Sequence, residues 1–178
     1  MQIQPPRVRF YFDHSATLKS PTTRRLYDYW QSKCGDRPRP QWSDFDLLEL
    51  LDISRFIVVR DVVDGGKDFY CRYWGTGLAD MYHFDCTGQL ISESWSSNGV
   101  KNTLELYHHA MSSEDLPTRC IGDLGYVDKN EFVSFEAVML PLDGVDGPMQ
   151  HFIGVFHMYY ELDSEDLDLL RKREKIDL

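Results

Sequence analysis

Two runs with the alternation of β-strands, Arg55–Val63 and Asp68–Trp74, are separated from three later ones, Pro117–Val127, Glu131–Leu142 and Gln150–Leu162. Between the two groups lie about forty residues, Gly75–Leu116, that carry no strand pattern. Asp64-Gly65-Gly66-Lys67 joins the first pair as a hairpin. Asp128-Lys129-Asn130 and the Gly- and Asp-rich Asp143–Pro148 join the later three. The chain therefore reads as α+β: a five-stranded antiparallel sheet, a helical insert between its second and third strands, and helices on one side. An insert placed this way folds back across one sheet face and encloses a pocket.

Within the first strand, Phe56, Val58, Arg60 and Val62 alternate with Ile57, Val59, Asp61 and Val63. Apolar residues on both faces predict a central, covered strand. In the insert, Thr76–His83 has room for two helical turns. Val100, Leu104, Tyr107 and Met111 share one face of a longer helix over Ser97–Met111. Upstream, Ser20 caps and Pro21 opens a helix over Thr22–Cys34 that stops near Gly35. Ser43-Asp44 opens a shorter helical stretch, Phe45–Leu51. The alternating Val8, Phe10 and Phe12 fit a short edge strand or a docking arm, and Ser164 starts a last helix over Glu165–Lys175. These limits give an N-terminal arm over 1–19, a main domain over 20–163 and a helical tail over 164–178.

With 178 residues, 42% hydrophobic and 13% aromatic, the chain has enough apolar side chains for one folded core. Its net charge of -10 repels phosphate backbones and anionic membranes, so no nucleic-acid or membrane partner is expected. The N-terminal residues show no signal peptide and no stretch reaches the ~20 apolar residues of a membrane span, which fits a cytoplasmic setting. The four cysteines, Cys34, Cys71, Cys86 and Cys120, form no CxxC motif and no zinc-ligand spacing.

Catalytic chemistry finds no recognisable set. Nothing basic adjoins Cys86 in sequence and Cys71 lies in a core strand, so inert buried thiols are expected. Glu136 interrupts the apolar run Phe135-Glu136-Ala137-Val138. The alternation of Val133, Phe135, Ala137 and Met139 leaves it on the opposite face, solvent-facing or paired with Arg72 or Arg119. His151 and His157 lie about 20 Å apart along one strand at ~3.3 Å per residue and cannot share a metal ion. Trp74-Gly75-Thr76-Gly77 is too short for a nucleotide-binding loop.

The segment Asp68-Phe69-Tyr70-Cys71-Arg72-Tyr73-Trp74-Gly75-Thr76, with the turn Asp85-Cys86-Thr87-Gly88 about ten residues later, resembles a motif of a bacterial family of PAS-like domains. The helix around Leu26-Tyr27-Asp28-Tyr29-Trp30 and the lead-in Asp44–Leu51 resemble the family's upstream pieces. The resemblance implies a stand-alone, non-catalytic sensory or regulatory domain that binds a small molecule or a signalling protein and dimerises through its leading helix. It selects no cofactor, because PAS domains accept haem, flavin, organic acids, lipids or nothing. Physical reasons accompany the motif: Arg72 as an ion-pair or stacking residue, Gly75 for backbone conformation, Thr76 as a helix cap, and Asp85, Thr87 and Gly88 as an Asx-turn.

Candidate ligand-lining residues are Tyr73, Trp95, Leu104, Tyr107, Phe135, Met139 and His157, from the insert and the sheet facing it. Leu26, Tyr29 and Trp30, expected to be exposed in a single chain, form the candidate homodimer face. A cone-shaped fold of the steroid-isomerase type, which supports enzymes, is the competing architecture, but it needs its helices mostly before the sheet. A ligand-free interaction adaptor with a filled core is the competing function.

Overall fold

The run Ile57–Val63 (β2) has apolar side chains on both faces because it lies inside the sheet, hydrogen-bonded on each side. The computed structural model describes residues 8–94, 97–113, 116–128 and 131–174. Its single antiparallel sheet runs β1-β4-β5-β6-β2-β3. The other strands are β1 (Val8–His14), β3 (Asp68–Trp74), β4 (Thr118–Asp128), β5 (Glu131–Gly144) and β6 (Gly147–Met158). The expected five strands are present and β1 adds a sixth, paired along the outer edge of β4 from Val8–Leu124 to His14–Thr118.

The insert leaves the sheet at Trp74 as α2 (Thr76–Tyr82), α3 (Ile91–Ser94) and α4 (Ser97–Met111). It covers one sheet face. Phe69, Cys71, Trp74, Val133, Phe135, Ala137, Met139 and Phe152 pack there against Leu78, Ile91, Leu106, Tyr107 and Ala110. This arrangement, with the helices interrupting the sheet after β3, is not that of the cone fold.

Helices do not keep to one side. α1 (Pro21–Cys34) and the 3-10 turns Trp42–Asp44 and Leu47–Leu50 cover the opposite face, over Val59, Val138, Leu140, Leu142, Ile153 and Val155. The second apolar stripe of β5 requires that cover, since leaving it in water would forgo ~25 cal/mol per Å² of burial. The Phe45–Leu51 stretch forms 3-10 turns because Asp46 caps at Leu48 N–H and restarts the chain there. Ser20 accepts from Thr23 N–H at the start of α1, and Gly35 ends it at φ +57.

One expectation fails on this face and one open choice is decided. Leu26, Tyr29 and Trp30 are buried in the single chain, and Trp30 Nε1 donates to the Pro141 carbonyl at 2.8 Å. They are core residues, not an exposed dimer face. Glu136 is 0% exposed, and of the alternatives expected for it the pairing with Arg119 is the one that forms. It accepts from Arg119 Nε (2.8 Å), from Ser20 N–H (2.8 Å) and from Lys19 N–H (3.1 Å).

The last helix, α5 (Ser164–Glu174), crosses the β1 edge and ties the two layers together. Near its start, Asp166 accepts from Arg119 Nη2, Lys19 Nζ and Tyr160 Oη. Near its end, the Arg173 guanidinium sits 4.4 and 4.5 Å from the ring centres of Phe10 and Phe12 and donates to Glu105 of α4 at 3.0 Å.

Candidate functional site

A bulge in the β2–β3 pair sets the geometry beneath the insert. Val59 lies opposite Tyr73 and Arg60 opposite Cys71, so Arg72 stands outside the ladder. The slip sends Arg60, Cys71 and Trp74 toward the insert and Tyr73 to the other face, where its hydroxyl donates to the Ser54 carbonyl.

Arg60 is the central feature. It is 1% exposed, and its guanidinium carbon lies 5.8 Å from the ring centres of both Trp74 and Tyr107. Nη2 points at Cys86 Sγ, 3.6 Å away. Nε and Nη1 have no hydrogen-bond partner among the described residues. Burial works against the cation, while Tyr107, Cys71 and Cys86 favour it. Two aromatic faces supply cation–π attraction that strengthens when water is excluded.

The sulfurs of Cys71 and Cys86 share a hydrogen across 3.2 Å. Cys71 is on β3 and Cys86 in the turn that follows α2, and that turn is pinned to the strand. Gly88 N–H donates to the Cys71 carbonyl at 2.8 Å, and Cys71 N–H to the Gln89 carbonyl at 2.9 Å. The hydrogen bond with Cys71 pulls the Cys86 thiol below its ordinary range, with Arg60 adding to the pull against burial. Cys71 is pushed up by the same hydrogen bond and by burial. The expectation that nothing basic adjoins Cys86 is overturned: Arg60 is remote in sequence but adjacent in space. Burial pushes Tyr107 up to about 12, so its hydroxyl stays protonated.

Of the candidate lining residues, Leu104, Tyr107, Phe135 and Met139 meet in this interior. Tyr107 packs on Phe69 and Phe152, with ring centres 4.9 and 5.7 Å away. Tyr73 and His157 do not belong with them. His157 is on the α1 side of β6, and its Nδ1 meets Thr22 Oγ1 at 2.7 Å. The alternation of β6 puts Phe152 and Met158 under the insert and turns His157 away. Trp95 lies outside the described residues. The residue missed from sequence is Arg60, whose signal is a cation on the strand face it shares with Val58 and Val62, with Asp61 the other charge of β2.

The motif residues build the entrance to the insert. Arg72 Nε and Nη2 grip both carboxylate oxygens of Asp61 at 2.9 and 2.6 Å, and His151 Nδ1 donates to the same Asp61 at 2.6 Å. Burial opposes ionisation of Asp61, but the His151 and Arg72 hydrogen bonds hold its carboxyl below the usual range. Gly75 is at φ -59, a conformation open to any residue. Glycine is needed there because a Cβ would sit 2.2 Å from the Arg55 carbonyl oxygen, not for its backbone freedom. Thr76 is the first residue of α2 and exposed, and Gly75 holds the cap position, so the expected Thr76 cap is not formed. Asp85 Oδ1 accepts from Thr87 N–H at 2.8 Å, and Gly88 follows at φ +84.

No three His, Cys, Asp or Glu side chains gather as a metal site among the described residues. Nor is any helix among them long and apolar enough to cross a membrane.

A sheet whose middle is interrupted by helices that close over one face defines a sensory-domain architecture of the PAS type. The PAS domain family model matches residues 18–157, and the chain belongs to that family. Solved structures align with the chain at low identity. An RNA-binding light-oxygen-voltage receptor aligns at 12% identity and TM-score 0.45, over 98% of this chain and 45% of that one. This chain thus spans less than half of that receptor's length. The dark state of the blue-light photoreceptor Aureochrome1 LOV aligns at 12% identity and TM-score 0.43, over 75% of this chain and 95% of that one. A sensory box histidine kinase/response regulator from Burkholderia thailandensis E264 aligns at 11% identity and TM-score 0.39, over 74% and 98%. No curated protein matches the chain.

Proposed function

We propose that this PAS domain is a non-catalytic sensor or regulator that receives a small molecule between the insert and the sheet. Occupancy is passed to a signalling partner by repacking of the flanking helices. The observation that carries this reading is Arg60, a fully buried cation with two donor atoms, Nε and Nη1, left open beneath the insert. A buried cation with donors left unsatisfied is costly. A filled adaptor core gains nothing from holding one, whereas a ligand with a carbonyl or carboxylate acceptor turns the cost into affinity and selectivity.

The route to the surface runs through α4 and α5. Tyr107, packed beside Arg60, and Glu105, bound to Arg173 of α5, are on the same helix. At its other end α5 joins Arg119, Lys19 and the start of α1 through Asp166. A ligand that lifts α4 acts on both flanking helices, within the limit of its differential affinity for the two packings. The net charge of -10 supports a protein or small-molecule partner over nucleic acid, in a cytoplasmic setting. Homodimerisation stays within the proposal, but through surfaces other than Leu26, Tyr29 and Trp30.

Native mass spectrometry with an absorption spectrum, run on freshly purified protein and on Arg60→Met, tests the reading. Added mass that is present in the natural protein and absent from folded Arg60→Met is the expected result. Identical adduct-free spectra for both proteins, before and after incubation with cell extract, reject it.

A further inference from the structure

Arg60, Cys71 and Cys86 form a cluster that a ligand seat alone does not explain, because Nη2 is already engaged by Cys86 Sγ, which in turn meets Cys71 Sγ, while Nε and Nη1 are the open donors. We propose that Cys71 and Cys86 are an oxidisable dithiol, with Cys86 the reacting sulfur, Cys71 the resolving one, and a hydroperoxide the oxidant.

Three independent observations support the assignment. The two sulfurs are already 3.2 Å apart, so closing a disulfide needs side-chain adjustment and no rearrangement of strands. Their backbones are held together by the hydrogen bonds of Gly88 and Gln89 to Cys71, which fix the turn against β3. The Arg60 guanidinium meets Cys86 Sγ at 3.6 Å, and a fixed cation is what raises the thiolate fraction of a cysteine. Cys120 provides the contrast: burial outweighs the pull of Arg173 and Arg119 and pushes it up to about 12.

Access comes through the turn. Cys86 is buried, but Asp85, Thr87 and Gly88 around it are exposed, so the sulfur is one residue below solvent. A small hydroperoxide enters by a local opening of this turn.

The chemistry balances with that oxidant alone. The Cys86 thiolate attacks the terminal peroxide oxygen; an S–O bond forms, the O–O bond breaks and, with one proton taken up, an alcohol or water leaves. Cys71 then attacks the Cys86 sulfenic acid; the S–S bond forms, the S–O bond breaks, and water departs with the proton of Cys71. Two thiols are oxidised by two electrons and one peroxide is reduced. The disulfide clamps the turn to β3 and removes the sulfur that Nη2 contacts, so the guanidinium is free to reorient beneath α4.

Hydrogen peroxide is the probe, applied to the full chain under native conditions, then quenched by alkylation and mapped by proteolysis and mass spectrometry. The expected product is a Cys71–Cys86 link with loss of two hydrogens, reversed by dithiothreitol, while Cys34 and Cys120 remain alkylated. In Cys71→Ser the reaction should stop at a dimedone-reactive Cys86, and Cys86→Ser should give no adduct at either position. Arg60→Met, checked for folding by circular dichroism, should slow the linkage about tenfold, with Arg60→Lys close to the natural rate. The decisive measurement is on the natural chain: a folded protein whose half-exposed Cys34 is oxidised while Cys71 and Cys86 stay unlinked overturns the assignment.

Discussion

Arg119 on β4 donates through Nε to Glu136 on β5 and through Nη2 to Asp166 on α5, so one buried cation holds two carboxylates from separate elements. Both acids are fully buried, and the Glu136 oxygens also receive the first free N–H groups ahead of α1. Replacing Arg119 by Met removes the cation from buried Glu136 and leaves buried Asp166 with Lys19 as its cation. The expected loss is about 3–5 kcal/mol in urea unfolding. Glu136→Gln should cost less, because Arg119 keeps Asp166. Equal losses for the two variants would show that the network is not shared as described.

Acid should erase the difference between Glu136 and its amide. Burial opposes the Glu136 carboxylate, but hydrogen bonds from Thr23, Ser20 and Arg119 outweigh it and hold its folded pKa below the ordinary glutamate value. A depressed folded pKa contributes stability above the unfolded value of about 4.3, lost as pH falls through the folded one. The stability gap between the natural chain and Glu136→Gln should therefore be full at pH 7 and shrink as pH drops below about 4. A gap that widens on acidification contradicts the direction.

Trp30→Lys should unfold the chain rather than change its oligomeric state. Trp30 is packed over β5 and bonded to the Pro141 carbonyl, and deleting a buried Trp costs about 3–5 kcal/mol before any charge is buried. The check is a melting curve beside light scattering. A cooperative melt near the natural one, with halved mass, would restore the dimer-face reading.

Gly75 and Gly65 should differ in kind. Alanine at 75 drives a Cβ to 2.2 Å from a backbone oxygen, which has no flexible end to move away. Alanine at 65 meets nothing within 4 Å and suffers only from φ +68. Gly65→Ala should cost about 1 kcal/mol and Gly75→Ala about 3 or more, by chemical denaturation. The reverse order would mean that the α2 entrance relaxes freely.

The fold was legible where side-chain period and turn chemistry agree. Asp64-Gly65-Gly66, the β3–α2 junction at Gly75 and the capped start of α1 at Ser20 all lie where the local pattern puts them. What local pattern does not carry is the far side of a contact. The choice between water and Arg119 for Glu136 stays open in the sequence because its strand neighbours do not reveal that α1 closes over it. His157 was grouped with Phe135 although strand parity separates them, and Tyr73 moved because a one-residue bulge at Arg60 reversed its side. The cysteine environment was hidden for the same reason: Arg60 and Cys86 are 26 residues apart in sequence and 3.6 Å apart in space.

The family match starts at residue 18 and stops at 157, so it omits β1. Yet β1 shields the outer rim of β4, whose ladder positions from Thr118 to Leu124 all pair with it. A fragment cut to the matched residues would retain most of both cores, without Met158, Phe10 and Phe12, while presenting a bare row of amide and carbonyl groups, an invitation to intermolecular zippering. Trimming this chain to its conserved-looking heart should make a stickier molecule, not a tidier one.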